Sequence, residues 1–337
     1  MTLEKQKKIA IITGANSGVG FAICQRLLET EGDEITIVMA CRNPSRAEKA
    51  RELLRQQFPS GHIELELVDV GSMNSVFSFC QSIQNKYSHV NYLFCNAGIL
   101  NTKGINWMTV VRLFFTDPVG LVERSDATIQ NVGEINADGI GEIFAANVLG
   151  HYIMMREMEG LLDRSGDGRI IWTSSITAKY DCFDIDDWQG VKSKEPYESS
   201  KWACDLVSIQ SNERFQREGL KVSSFTTSPG VVASQIGGLA AWIVYFRILI
   251  HYLMRILGVA SQNISSYNGA IADVYVALAP LASLDHLLRY NSYTNRWGTP
   301  YVEATMIPKY DHDIAKKLVD KCELTYQAFK KSNSVQQ

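Results

Sequence analysis

Residues 9–20 read IAIITGANSGVG, and this stretch decides the fold. A short β-branched, apolar run meets glycines at positions 14, 18 and 20, and the apolar spacing of FAICQRLLET (21–30) is typical of a helix. Glycine permits a tight turn and lets the backbone approach a pyrophosphate, which then lies at the positive N-terminus of the helix. Alone, the motif is equally compatible with a turn that binds nothing.

The rest of the first hundred residues supports the nucleotide-binding interpretation. Predicted strands at 34–43, 62–70 and 90–98 alternate with predicted helices at 44–58 and 72–86. This alternation predicts an α/β fold of the Rossmann type with a doubly wound parallel sheet. Right-handed crossovers then bring the glycine turn to a crevice at the carboxyl ends of the strands.

The end of the second predicted strand indicates which nicotinamide cofactor binds. NAD sites usually place an acid there, which accepts a hydrogen bond from the ribose 2′-hydroxyl. This chain has Cys41 and Arg42 instead, and a guanidinium suits a 2′-phosphate, so the sequence favours NADPH. Arg46 could equally supply that contact, and Arg42 could be an ordinary surface charge.

The second half supplies residues that could carry out chemistry. The predicted strand GRIIWTSSITA (168–178) ends in Ser174 and Ser175, and YESSK places Tyr197 and Lys201 on one face of a helix. A lone Tyr-x-x-x-Lys pair is usually a solvated surface pair. Its place after the fifth strand of a dinucleotide-binding fold, beside two serines, makes it a candidate catalytic pair.

Together these motifs resemble the short-chain dehydrogenase/reductase family. The matching motifs, in the family's order over most of residues 9–235, are the glycine turn, Asp69-Val70, Asn96-Ala97-Gly98, Asn147, Ser175, Tyr197 with Lys201, and Ser228-Pro229-Gly230. The resemblance implies that Tyr197 gives its proton to a carbonyl oxygen as hydride arrives, and that Ser175 hydrogen-bonds the same oxygen. It also implies that Lys201 holds the nicotinamide ribose and that Asn147 anchors a water that relays the proton.

Physical chemistry agrees with these roles. A tyrosine hydroxyl ordinarily titrates near 10, and a neighbouring ammonium favours the phenolate, which makes proton exchange at neutral pH faster. Ser174 stays an alternative to Ser175, and Asn147 could instead kink or cap a helix. The residues that the resemblance assigns to the cofactor are Gly14, Asn16, Ser17, Gly18, Val19, Gly20, Arg42, Asp69, Val70, Asn96, Ala97, Gly98, Tyr197, Lys201, Pro229, Gly230 and Val232.

Two stretches are longer than in a minimal member of the family. They include residues 104–126, which are aromatic and apolar, and residues 179–195. Both would flank the substrate crevice at the strand ends, where aromatic insertions suit a large apolar substrate. The alternative is that they are peripheral additions. His151 lies near this region, but a single histidine on a helix more often packs than transfers protons.

Composition excludes several functional classes. The 337 residues carry a net charge of −3, without the basic excess of nucleic-acid binders. Seven scattered cysteines without metal-ligand spacing predict reduced thiols facing the cytosol, no disulfide framework and no metal site. No signal peptide is expected, because MTLEKQKK leads directly into the first strand. One domain over 1–337 is predicted; its parts are a cofactor half (9–100), a catalytic half (139–235), a helical segment (236–262) and a C-terminal part (263–337) with a helix, the last strand and a tail.

Residues 239–257, LAAWIVYFRILIHYLMRIL, form an unusually apolar run. Arg247 and Arg255 make a membrane span marginal, because each costs about 2.5–3.5 kcal/mol at the bilayer centre. With His251 they are four apart and form one polar stripe. Such a stripe is typical of a helix that lies on a membrane surface with its arginines at the phosphates. The alternative is a buried dimer or lid helix whose stripe faces water.

Within the family, the chain most resembles the 3-keto-steroid reductases of sterol C4-demethylation, a group that includes the type 7 17β-hydroxysteroid dehydrogenases. The resemblance rests on GINW (104–107), IIWTSS (170–175), the insertion before Tyr197, the apolar run after PGVV and SYNGA (266–270). It implies NADPH-dependent reduction of a 3-keto-4-methylsterol to the 3β-alcohol. The expected location is the cytosolic face of the endoplasmic reticulum or a lipid droplet, beside other enzymes of sterol C4-demethylation, with a homodimer as an open option. A reductase of retinal or protochlorophyllide type and a non-catalytic NADPH-binding scaffold remain alternatives.

Overall fold

A central eight-stranded sheet organises the protein, whose computed structural model describes residues 7–124, 126–232 and 241–336. For residues 241–247 and 334–336 the description covers the backbone alone. The described residues form twelve strands, which are β1 (Lys8–Thr13), β2 (Ile35–Cys41), β3 (His62–Leu67), β4 (Tyr92–Cys95), β5 (Thr102–Ile105), β6 (Thr128–Gln130), β7 (Gly168–Thr173), β8 (Val222–Ser228), β9 (Val231–Val232), β10 (Gln262–Ile264), β11 (Leu288–Thr294) and β12 (Pro300–Met306). Eight of them form the central sheet, whereas β5 pairs only with β6 and β9 only with β10.

The helices cover both faces of this sheet. They are α1 (Gly18–Glu31), α2 (Pro44–Gln57), α3 (Met73–Lys86), α4 (Trp107–Thr116), α5 (Pro118–Glu123), α6 (Glu142–Phe144), α7 (Gly150–Arg164), α8 (Pro196–Glu218), α9 (Ala241–Ile256), α10 (Ser266–Gly269), α11 (Ile271–Leu278) and α12 (His312–Gln336). A π-helical turn, Ala145–Leu149, joins α6 to α7.

The sheet has the strand order β3-β2-β1-β4-β7-β8-β11-β12, which confirms the predicted Rossmann-type fold. All neighbours are parallel except β11 and β12, which form an antiparallel hairpin. Where the sequence analysis expected a last strand, the chain forms the two strands β11 and β12. A tight turn at Asn295–Gly298, with Gly298 at φ 93°, reverses the chain and allows this second strand to pair directly.

Strand β1 shows why a central strand of this sheet carries apolar residues on both of its faces. Its alternating side chains enter two cores: Ile9 and Ile11 pack on the side of α3, α7, α8 and α12, whereas Ala10 and Ile12 pack on the side of α1, α2 and α11. A strand covered on both faces gains from apolar residues at every position. The candidate site residues lie directly after the carboxyl ends of these strands, so the sheet determines their positions.

At His251 the polar stripe of helix α9 faces the protein, which neither the membrane-surface nor the water-facing interpretation predicts. His251 is buried and its Nδ1 lies 2.6 Å from Oε1 of Gln262, so the stripe turns toward the protein at this position. The guanidinium of Arg255 lies over the Tyr252 ring, 4.8 Å from its centre. The exposed face consists of apolar side chains, which are Leu249, Tyr252, Leu253, Ile256 and Leu257. Residues 236–240 and the Arg247 side chain lie outside the described part of the chain.

Among the helices that the structure describes, none combines the length and apolar character needed to cross a bilayer.

Candidate active site

The glycine turn between β1 and α1 has room for a ligand at one glycine and none at another. At Gly18 the backbone adopts φ 59°, and an added Cβ would meet no atom within 4 Å. At Gly20 an added Cβ would lie 2.5 Å from the carbonyl oxygen of Gly14. The open space at Gly18, named here the glycine cradle, lies at the N-terminus of α1, where the helix N–H groups favour a phosphate. Gly20 instead allows the helix to pack on the turn.

Thr13, the last residue of β1, fixes the Asn-Ala-Gly segment after β4. Its Oγ1 accepts hydrogen bonds from the backbone N–H groups of Asn96 and Ala97, both at 2.9 Å. In return, Nδ2 of Asn96 donates to the Thr13 carbonyl oxygen at 2.8 Å. The structure thus brings together the two segments that the sequence assigned to the cofactor. Thr13 was missed as a site residue, although its place before the first glycine was a usable signal.

Two arginines lie exposed where β2 ends and α2 begins. Arg42 is 71% exposed at its side chain, and its Nη1 is 3.8 Å from Oδ2 of Asp69. The other oxygen of Asp69 accepts the Gly71 N–H at 3.0 Å, which orients the carboxylate. Arg46 is also exposed at the start of α2. Both cations are accessible to a 2′-phosphate, so the choice between them remains open.

The two serines after β7 have different environments. Ser174 is buried and donates from Oγ to the Lys201 carbonyl oxygen at 3.1 Å, which ties β7 to α8. Ser175 is only partly buried, and its Oγ accepts the Thr177 N–H at 3.1 Å and lies 2.9 Å from Thr177 Oγ1. Of these two hydroxyl groups, only that of Ser175 is partly exposed.

Tyr197 and Lys201 lie on the first turns of α8, as the sequence predicted. The Lys201 side chain is buried, and its Nζ donates to the Thr173 carbonyl oxygen at 2.7 Å. The same ammonium is 5.7 Å from the centre of the Tyr197 ring.

Asn147 lies in the π-helical turn and connects three elements. Its side chain exchanges hydrogen bonds with the backbone of Ile99, accepting at 2.8 Å and donating at 3.2 Å, and also donates to Ser200 Oγ at 2.9 Å. An added Cβ at Gly98 would lie 2.9 Å from Asn147 Oδ1 and 3.6 Å from Lys201 Nζ. The Asn-Ala-Gly segment, Asn147 and Lys201 therefore meet at one point.

The Pro-Gly segment after β8 is held by the chain beyond α9. Asn263 donates from Nδ2 to the Pro229 carbonyl oxygen at 2.7 Å, and Val232 pairs with Ile264. At Gly230, with φ 63°, an added Cβ would be 2.6 Å from the Ser261 carbonyl oxygen. These contacts place the segment that follows α9 directly beside the residues that the resemblance assigns to the cofactor.

Three buried ionisable groups, Asp205, Asp273 and His151, lie near the site. The sequence analysis did not identify the two aspartates and expected His151 only to pack. Asp205, on α8, forms a buried ion pair with Arg289 on β11. Asp273 accepts hydrogen bonds from Thr227 Oγ1 at 2.6 Å and Thr173 Oγ1 at 3.2 Å, and burial raises its pKa to about 6. Nothing in the local sequence signals these pairings, because each joins distant parts of the chain.

His151 is the third of these groups. It is fully buried, with Nε2 2.9 Å from Thr13 Oγ1 and Nδ1 3.4 Å from the Asn147 carbonyl oxygen. Burial, followed by the nearby Lys201 ammonium, lowers its pKa to about 3. With its proton on Nδ1, a neutral imidazole donates to the Asn147 carbonyl oxygen. Its Nε2 then shares the single Thr13 hydroxyl proton with the Phe94 carbonyl oxygen, which lies 3.0 Å from Thr13 Oγ1. The predicted packing role thus includes two polar contacts.

The first insertion extends over residues 102–130, where a β5–β6 hairpin carries α4 and α5. Helix α4 exposes a continuous apolar side, which consists of Trp107, Met108, Val111, Phe114 and Phe115. Ser261, which follows α9, donates from Oγ to Oε1 of Glu123 at 2.5 Å. The end of the first insertion is therefore in contact with the segment after α9.

The arrangement can transfer a proton next to a bound nucleotide. It offers one accessible serine hydroxyl, one phenol and one buried ammonium at the carboxyl ends of the strands, beside an open glycine cradle and two exposed cations. Across the described residues, no group of three His, Cys, Asp or Glu side chains could hold a metal ion.

Comparisons with known proteins agree with this geometry. The family profile described as short chain dehydrogenase matches residues 8–240. The chain is 34% identical over 315 residues to the 3-keto-steroid reductase/17-beta-hydroxysteroid dehydrogenase 7 of Rattus norvegicus, covering 92% of this chain and 93% of the relative. It is 33% identical over 314 residues to the 3-keto-steroid reductase ERG27 of Saccharomyces cerevisiae, covering 89% and 90%. The fold also resembles L-sorbose reductase from Gluconobacter frateurii, solved with NADPH and L-sorbose, with a TM-score of 0.57, 17% identity and 82% and 92% coverage.

Proposed function

The chain belongs to the short-chain dehydrogenase family, and we propose that it is an NADPH-dependent reductase that converts a 3-keto-4-methylsterol into the 3β-hydroxysterol. The observation that supports catalysis most directly is that Lys201 Nζ bonds the carbonyl oxygen of Thr173, the last residue of β7, and lies 5.7 Å from the centre of the Tyr197 ring. Ser175 follows the end of the same strand by two residues. The substrate class is supported by the relatives' names, since both are called 3-keto-steroid reductases and align over about nine-tenths of each chain.

The cofactor would bind along the turn and strand ends already described. Gly18 would receive its pyrophosphate, Asp69 its adenine side, and Arg42 or Arg46 its 2′-phosphate. The lack of an acid after β2 and the two exposed guanidinium groups there support NADPH over NADH. When bound, this cofactor supplies the hydride.

Ser175 and Tyr197 would act together on the ketone oxygen. When the Thr177 hydroxyl is the donor in its contact with Ser175, Thr177 occupies both acceptor positions of Ser175 Oγ. The Ser175 proton is then available for the ketone oxygen. Tyr197 transfers its proton to that oxygen as negative charge develops on it.

Lys201 and Asn147 would restore the proton. The bond from Lys201 Nζ to the Thr173 carbonyl uses one of three ammonium protons, which leaves two for the cofactor ribose and for a water. Asn147, in the π-helical turn, would anchor that water.

We also propose that the protein works on a membrane surface, at the cytosolic face of the endoplasmic reticulum, near other enzymes of sterol C4-demethylation. Support comes from two exposed apolar helix faces, on α4 and α9, whose neighbouring segments are joined by the Ser261–Glu123 hydrogen bond. In this orientation α9 would insert its apolar side among lipids. The buried His251 does not favour phosphate contact along the whole polar stripe.

The decisive experiment measures NADPH oxidation by purified protein with a panel of 3-ketosterols in detergent or liposomes, with retinal as the competing substrate. Turnover restricted to 3-ketosterols supports the proposal. Turnover with retinal alone would overturn the substrate assignment, and the absence of turnover with every substrate, despite NADPH binding, would favour a scaffold.

A further inference from the structure

Gln130 connects the first insertion to the helix that carries Tyr197. It is the last residue of β6, and its side chain is buried. Its Oε1 accepts the backbone N–H of Tyr197 at 3.0 Å, and its Nε2 donates to Oε2 of Glu198 at 2.6 Å. One amide therefore holds two consecutive residues at the start of α8.

The start of α8 needs such a partner. The first N–H groups of a helix have no acceptor within the helix and are usually satisfied by a capping side chain. Within the described chain, the residue before α8, Glu195, makes no capping hydrogen bond with its side chain. Gln130 supplies an acceptor for the Tyr197 N–H from a segment 67 positions earlier in the chain. The cap of α8 is thus a tertiary contact.

A second set of contacts joins the same insertion to the same helix end. Lys179 Nζ lies 3.1 Å from Asp126 Oδ1, in the first insertion, and 3.5 Å from Glu195 Oε2, just before α8. Cys182 Sγ also donates to Glu195 Oε2 at 2.7 Å. The two insertions are therefore linked to each other where the helix begins, and Gln130 is the member that reaches the Tyr197 backbone.

We propose that Gln130 is a positioning residue, which fixes Tyr197 so that its phenol oxygen reaches the substrate carbonyl. The inference rests on the proposed role of Tyr197 as the proton donor. Misplacing a reacting group by about 1 Å can lower the rate by about a hundredfold. Loss of Gln130 should consequently affect the chemical step, whereas the cofactor cradle at Gly18 is formed by other segments.

The donor and acceptor pattern gives a specific test. Gln130→Leu removes both bonds, and Gln130→Glu keeps an acceptor for the Tyr197 N–H but places a second carboxylate against Glu198. The exchange Gln130→Glu with Glu198→Gln reverses the donor and acceptor of the side-chain pair and again leaves an oxygen for the Tyr197 N–H. Gln84→Leu is the matched control, because Gln84 is an exposed glutamine that bonds the Glu157 carbonyl on another helix.

We expect Gln130→Leu and Gln130→Glu to lower kcat by about tenfold or more, with Kd for NADPH changed less than about threefold and KM for the ketosterol little affected. The exchange variant should recover most of kcat, and Gln84→Leu should match the parent protein. Thermal unfolding and NADPH titration establish that each variant is folded.

The outcomes separate this inference from the proposed function. If Tyr197→Phe keeps its turnover, the proposed role of Tyr197 is wrong. If Tyr197→Phe is inactive but folded Gln130→Leu keeps full kcat, the positioning role is wrong. If Gln130→Leu does not fold, the exchange variant decides: recovered kcat supports the inference, and a folded exchange variant with low kcat overturns it.

Discussion

Nη1 of Arg289 donates a hydrogen bond to the carbonyl oxygen of Ser175 at 3.0 Å. The same guanidinium forms an ion pair with Asp205, which lies one turn after Lys201 on α8. Both side chains are buried, at 7% and 0% exposure. Strand β11 thereby connects the backbone of the proposed catalytic serine to the helix of the proposed catalytic lysine.

Substitutions of Arg289 and Asp205 should have strongly non-additive effects on the free energy of unfolding. Arg289→Met alone should destabilise the protein by about 3–5 kcal/mol, because it leaves a buried carboxylate without its partner. Arg289→Met with Asp205→Leu should cost clearly less than the sum of the two single changes. Urea unfolding of the four proteins measures this coupling, and additive effects would contradict it.

Tyr197→Phe should abolish ketosterol reduction, because the variant has no proton to give the ketone oxygen. NADPH binding should stay near normal, since the ring and the Lys201 contacts remain. Stopped-flow hydride transfer and NADPH titration test both parts. Tyr301→Phe, on the edge strand β12, is the control and should behave as the parent protein.

Arg42→Ala should weaken NADPH binding by about 10- to 100-fold, which corresponds to one lost charge-assisted contact. NADH binding should change little, because NADH has no 2′-phosphate. Isothermal titration of Arg42→Ala and Arg46→Ala with both cofactors identifies the arginine concerned. Equal losses for NADPH and NADH in both variants would argue against any contact with the 2′-phosphate.

The free energy of unfolding should depend on pH through two buried groups, His151 and Asp273, whose pKa values shift in opposite directions on folding. The pKa of His151 is 6.5 in the unfolded chain and about 3 in the folded protein. The free energy of unfolding therefore decreases as the pH falls below 6.5, by about 2 kcal/mol at pH 5. The pKa of Asp273 rises from 3.8 in the unfolded chain to about 6 in the folded protein. Its contribution to the free energy of unfolding therefore increases by about 1 kcal/mol as the pH falls from 7 to 5.

Substitutions should separate these contributions. His151→Gln should make the protein lose less stability on acidification from pH 7 to pH 5, and Asp273→Asn should make it lose more. Urea unfolding at each pH measures the slopes. Identical slopes in the parent protein and both variants would show that neither group titrates in this way.

Membrane binding should depend on the outward side of α9. Leu253→Asp with Ile256→Asp should lower flotation with liposomes, because both side chains are more than half exposed and would leave the lipid. Leu324→Asp changes an exposed leucine on α12 and should leave flotation intact. Unchanged flotation of the α9 variant would exclude this surface as the contact.

The sequence was sufficient to predict those features that depend only on residues close together in the chain. The glycine turn, the Tyr197–Lys201 spacing and the alternation of strands and helices depend on neighbouring residues, so the fold and the placement of those motifs followed from pattern alone. Gln130 and Arg289 could not be found in this way, because their partners lie far away in the chain. The stripe of α9 was recognised, but its direction was wrong at His251, since a helical pattern does not say which side meets the protein.

An added side chain has space at Gly18 but not at Gly20, so the two glycines should tolerate substitution differently during evolution. A descendant that stopped using a nucleotide could replace Gly18 with asparagine at the modest cost of a left-handed backbone, about 1–2 kcal/mol or less. It could not replace Gly20, where any side chain meets the Gly14 carbonyl. Among diverged sequences, a retained Gly20 thus reports a preserved architecture, whereas Gly18 is the position at which relaxed selection would first become visible.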